Sequence, residues 1–133
     1  MMRMRPLQWS IMTRTLRTLV LGTALFGQTA KFSELQRREI PGTGRDGVTT
    51  VAVIPPGATS ARHSHPGEDF GYLIEGTIVL MVDGHPPLTV HAGETFFTAR
   101  GEIHNARNIG ATVARAVDTY VIDKGKPGIT PAP

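Results

Sequence analysis

Gly57-Ala58-Thr59-Ser60-Ala61-Arg62-His63-Ser64-His65-Pro66-Gly67-Glu68-Asp69 brings two histidines and two acids together within seven residues. His63 and His65 stand two apart, so on a strand both side chains point to one face. Asp69 shares their parity across the Pro66-Gly67 turn and can return a carboxylate to the same volume. Glu68 has the opposite parity, but it is longer, and the turn makes parity unreliable there. His104 follows the Arg100-Gly101 turn and is far enough along the chain to come from a neighbouring strand. Three imidazoles and one carboxylate suit one borderline divalent ion (Fe(II), Mn, Co, Ni, Cu or Zn), and nothing in the spacing chooses among these. His85 and His91 sit beside Gly84 and Ala92-Gly93 and are expected in solvent. Arg62 and Ser64 alternate with the histidines and should face the other way. Arg100 and Arg107 are expected on a solvated face.

Outward from this stretch, the chain is a string of short apolar or β-branched runs broken by Gly, Pro or Asp. Val48–Ile54 ends at Pro55-Pro56-Gly57, Tyr72–Ile74 at Glu75-Gly76, and Thr77–Val82 at Asp83-Gly84. Leu88–Val90, Thr95–Thr98 and Ala111–Ile122 follow. Asp83-Gly84 between two such runs predicts a tight type I′ hairpin. Ser33–Arg38 is too short for a helix before Pro41-Gly42, and no sustained helical period occurs after Lys31. With 133 residues, 15 of them Gly and 10 Pro, the chain has room for one domain of many short strands. A hydrophobic share of 40% against 19% charged supplies one core and argues against disorder. Val53, Leu73, Ile78, Leu80, Val82, Phe96, Phe97 and Val117 are the expected core or pocket residues. Phe70 and Tyr72, opposite in parity to Asp69, are expected to pack between sheets or subunits.

The spacing then forms a pattern. Gly57, five residues, His63-Ser64-His65, three residues, Asp69, six residues, Gly76 resembles the first motif of the cupin superfamily. Gly93, five residues, Ala99-Arg100-Gly101, two residues, His104, three residues, Asn108 resembles the second. The resemblance implies an all-β jelly-roll β-barrel of six to eight or more short antiparallel strands. It also implies a metal held by the positions matching His63, His65, the first motif's Glu, and His104. Ala99 stands where the family has Pro. Asp69 stands at the Glu position and is one methylene shorter, about 1.5 Å of reach, against a coordination tolerance of about 0.2 Å. Three arrangements are open: Asp69 ligates after an inward loop shift, Glu68 substitutes for it, or the carboxylate acts through water beside three histidines.

The N-terminal segment has a different character. Arg14 and Arg17 precede the apolar run Leu19–Gly27, and Gln28-Thr29-Ala30 follows; these are the parts of a secretory signal peptide over residues 1–30, or from Met12 in a shorter form. Nine helical residues span about 14 Å, too little for a bilayer core of roughly 30 Å, so no stable membrane span is expected. Residues 1–30 hold four Arg and no acid, while all eleven acids lie beyond, among ten Lys and Arg. The basic excess therefore belongs to the leader, and the body at 31–133 lacks the clustered cations that nucleic acid would require. There is no cysteine, which leaves neither a disulfide frame nor thiol catalysis.

These features together describe a periplasmic or secreted single-domain protein with a divalent metal and a small-molecule ligand or substrate. By resemblance, dioxygenase-like chemistry is the expected activity, with isomerase or lyase chemistry also within the family. The alternative is a non-catalytic module that binds a small molecule or metal. A homodimer is expected by the same resemblance, with Lys31–Glu39 and an extended arm from about Lys124 reaching across to the partner.

Overall fold

The computed structural model describes residues 29–133; nearly all of the signal segment expected at 1–30 lies outside them. Ten strands carry the fold: β1 Lys31–Ile40, β2 Arg45–Ile54, β3 His63–Ser64, β4 Gly67–Glu75, β5 Thr77–Val82, β6 Leu88–His91, β7 Thr95–Thr98, β8 His104–Asn108, β9 Ala114–Asp123 and β10 Thr130–Pro131. They form two five-stranded antiparallel sheets, in the orders β1-β2-β9-β4-β7 and β10-β3-β8-β5-β6. This is an all-β jelly roll. Among the described residues there is no helix, and so none long and apolar enough to cross a membrane.

Alternation along the strands sets the inner face. On β2 the buried residues are Asp46, Val48, Thr50, Ala52 and Ile54; on β9 they are Ala114, Ala116, Asp118, Tyr120 and Ile122. Val53 and Val117, expected inside, therefore stand on the outer face, and Phe97 on β7 is 51% exposed. Leu73, Ile78 and Leu80 are buried as expected. Phe70 and Tyr72 point outward rather than between the sheets.

The core is divided. One apolar cluster joins Ala52, Ile54, Leu73, Ile78, Val90, Ala114 and Ala116, and a second joins Val48, Tyr120 and Ile122. Between them a polar belt crosses the inner face. Thr50 pairs with Asp118 across β2 and β9, and Asp69 pairs with Thr98 across β4 and β7. All four are buried.

Three local features complete the fold, and the first of them differs from expectation. Gly84 has φ 79° while Asp83 keeps a negative φ, and His85 N–H donates to the Val82 carbonyl at 3.0 Å. That sign pattern belongs to a type II turn, since type I′ requires positive φ at both central residues. Lys31–Ile40 pairs along β2 of its own chain, with a bulge between Glu34 and Gln36. The tail after Lys124 turns back as well: Thr130 and Pro131 pair with Ser64 and His63, and Arg62 Nε donates to the Pro133 carbonyl at 2.7 Å. Both segments are used within the barrel.

Candidate metal centre

β3 and β8 run antiparallel with His63 opposite His104. His65 lies just past β3, where Pro66 turns the chain into β4. One ring nitrogen from each of the three imidazoles lies within 4.8 Å of the others, and all three residues are buried. The ring centroids stand 4.4 Å apart for His63–His104, 5.0 Å for His65–His104 and 5.1 Å for His63–His65.

Each ring is oriented by a backbone carbonyl. Nδ1–H of His63 donates to Ala61 at 2.7 Å, that of His104 to Glu102 at 2.9 Å, and that of His65 to Gly128 at 2.6 Å. A carbonyl only accepts, so each bond fixes the proton on Nδ1 and leaves the Nε2 lone pair free. Nε2 of His65 is buried without a hydrogen-bond partner, and its ring stacks on Tyr120 at 4.2 Å. Burial lowers all three histidine pKa values, that of His65 to about 4 against the opposing effect of the Gly128 carbonyl. The rings are thus neutral at physiological pH, the state in which imidazole ligates a metal. Three oriented nitrogen donors, one of them an orphaned buried atom, fit a borderline divalent cation.

The two acids at the first motif part company. Asp69 points inward, 98% buried, with Oδ2 3.6 Å from His65 Nε2 and Oδ1 without a partner. It stands beside the histidine cluster and is not a member of the group that converges within 4.8 Å. Glu68 points outward and pairs with Arg45, which holds its carboxyl below the ordinary range. His85 and His91 are exposed as expected, His85 against Glu102 at 3.2 Å. Arg62 pairs with Asp83 and Arg100 with Asp123, both on the exterior. Arg107 is exposed.

Two residues of the cavity wall, Asp118 and Phe32, carry no motif signal. Asp118, on β9, lines the same cavity of about 40 Å³ as the three histidines and Asp69. Its carboxyl and that of Asp69 are both pushed up in pKa, chiefly by burial, and for Asp69 also by the charge of Asp118. The sequence holds a signal for it: an acid at an inward position of an otherwise apolar alternation, Ala114, Ala116, Asp118, Tyr120, Ile122. Phe32 closes the cavity from β1, edge-on to His63 at 5.7 Å. Asn108, the last residue of the second motif, ties the end of β2 to the segment before β9: its Nδ2 donates to the carbonyls of Ile54 and Thr112, each at 2.8 Å.

A family model described as Cupin domain matches residues 50–120, more than half of the chain. The chain is a cupin. Among curated relatives, this cupin is 33% identical over 110 residues to Oxalate oxidase GF-2.8 of Triticum aestivum, a match covering 76% of this chain and 48% of that protein. It is 37% identical over 65 residues to Tetracenomycin polyketide synthase protein TcmJ of Streptomyces glaucescens, covering 48% of this chain and 43% of that one. The cupin superposes on oxalate oxidase in complex with the substrate analogue glycolate with a TM-score of 0.62 and 29% identity, over 76% of this chain and 54% of that one. A conserved double-stranded β-helix protein from Klebsiella pneumoniae gives a TM-score of 0.65 at 21% identity, over 80% and 87% of the two chains, a likeness of fold alone. The cupin spans about half the length of the oxalate oxidases it matches.

Proposed function

We propose that this cupin is an exported metalloenzyme that carries out oxygen-dependent, dioxygenase- or oxidase-like chemistry on a small organic substrate. The observation that carries this is the convergence of His63, His65 and His104, each with Nδ1 tied to a carbonyl and Nε2 left for a ligand. Asp69 is the carboxylate nearest to them and joins the site either directly after a small inward shift or through water. A bound divalent ion supplies a Lewis acid with open positions for dioxygen or a substrate oxygen. The residues around it hold neutral imidazoles in register, exclude bulk water behind Phe32 and Phe96, and keep a carboxyl group within reach of a transferred proton. The similarity to proteins named oxalate oxidase supports oxidase chemistry as the class.

The alternative is metal or ligand capture without turnover, favoured by the position of Asp69 beside the three-histidine cluster rather than within it. Oxygen-electrode assays on protein reconstituted with each of the six candidate metals separate the two. Metal-dependent oxygen uptake that disappears in His63→Ala supports the enzyme. Stoichiometric metal with no turnover across small alcohols, acids, phenols and diketones supports capture.

Export rests on the composition of residues 1–30, and N-terminal sequencing of secreted protein tests it. A homodimer is supported by the outward apolar side chains of β4 and β7, Phe70, Tyr72, Ile74 and Phe97, and gel filtration tests that.

A further inference from the structure

Among the described residues, the cavity that holds the three histidines is lined by two buried carboxyl groups and no cationic side chain. Asp69 and Asp118 line it from neighbouring strands of one sheet, and Asp69 Oδ1 has no hydrogen-bond partner. The remaining polar side chains of the wall are the imidazoles, Ser60 and Tyr120; the rest is apolar. Ser60 already accepts from the Ala106 N–H at 2.9 Å. The arginines that could have served as counter-charges are engaged on the outside: Arg45 with Glu68, Arg62 with Asp83 and Arg100 with Asp123. A divalent ion on the histidines favours the ionised form of both acids. An anionic ligand entering this space is then repelled by them and has only the metal to offset it, whereas an uncharged ligand with N–H or O–H groups finds acceptors waiting in a region of low dielectric.

We propose that Asp118, with Asp69, sets the ligand class of this cupin: a small, uncharged, hydrogen-bond-donating molecule is admitted, and a dicarboxylate such as oxalate is disfavoured. This deepens the metal-centre proposal and rests on it. It separates the chain from the oxidation of oxalate by which several of its relatives are named, while leaving the metal chemistry shared. Rejection by a buried like charge is a common device for specificity.

Oxalate, oxamate and oxamide test this, because they keep one shape while the charge runs from dianion to neutral. The purified protein is loaded with Co(II), its cobalt content is measured, and each ligand is titrated at about pH 8, where free carboxylic acids are fully ionised. Binding is read from the visible cobalt bands. Oxalate is expected to bind the unsubstituted protein only at millimolar concentration or above. Asp118→Asn should strengthen oxalate at least about ten-fold, strengthen oxamate by less, and leave oxamide within about two-fold. Oxalate saturating the unsubstituted protein at micromolar concentration overturns the inference without recourse to any variant, as does an Asp118→Asn change that is equal for all three ligands. Failure to take up cobalt at all overturns the metal centre itself, a separate outcome from loaded protein that binds oxalate tightly.

Discussion

His63 and His104 face each other as a cross-strand pair on β3 and β8, with ring centroids 4.4 Å apart. The pairing explains why residues forty-one positions apart in the chain reach one cavity: the register of a two-residue strand sets it, and that strand is itself held by β10 on its other edge. The geometry of the histidine cluster therefore depends on the tail as well as on the motifs.

Removing the tail should weaken the site without removing a ligand. Gly128 accepts from His65 Nδ1 and lies against the Tyr120 ring, where an added Cβ would come within 3.2 Å. Truncation after Lys126 leaves His65 free to turn, and metal affinity should fall roughly 10–100-fold, the usual effect of losing an orienting partner. Competition with a chromophoric chelator measures it. Unchanged affinity would mean that the carbonyl does not orient the ring.

The glycines of β4 separate two kinds of close contact. A Cβ at Gly67 would lie 2.0 Å from the Val121 carbonyl oxygen and 2.6 Å from Ile122 Cα, both backbone. Gly67→Ala must therefore part β4 from β9, and a loss of about 3 kcal/mol is expected. At Gly71 the obstacle is the Phe96 ring at 2.0 Å, a side chain that can swing away. Gly71→Ala should cost less, about 1–2 kcal/mol, and reshape the cavity wall. Urea denaturation of both variants checks the order.

Stability of the metal-free protein should fall as pH rises above about 6.5. Asp69 and Asp118 have folded pKa values raised above 3.8, so the folded state keeps protons that the unfolded chain has released, and raising pH favours unfolding. The histidines act in the opposite sense: their folded values lie below 6.5, so their contribution is lost as pH falls below that point. Above about 6.5 they are neutral in both states and only the acids remain. The slope can reach about 1.4 kcal/mol per pH unit for each acid still protonated, and Asp118→Asn should flatten it. Thermal melts across pH 6.5–8.5 in chelator, a window of about two units, would show a level or rising Tm if burial did not raise these groups.

Much of the fold was legible because punctuation and alternation agreed. Thr77–Val82 and Thr95–Thr98 alternate between faces and are bounded by glycine, and both are strands at those limits. β1 escaped because its burial pattern is exposed almost throughout, leaving no apolar stripe to read. On β2 and β9 the apolar residues misdirected the choice of face: Val53 and Val117 lie outside while Thr50 and Asp118 lie inside. A buried polar belt reverses the usual assignment, and Asp118 was hidden for that reason. Of the site itself, His63, His65 and His104 were legible from spacing. The Gly128 tether was not, because its contact spans sixty-three residues and involves only backbone on one side.

The most direct measurement is a crystal structure of the protein soaked with a transition metal, with the ion located by anomalous scattering. One ion per chain is expected at the centre of the three rings, about 2.0–2.2 Å from Nε2 of His63, His65 and His104, with that peak absent in His104→Ala. An anomalous map with no peak there, or an ion held elsewhere while the rings stay on their carbonyls alone, would contradict the account.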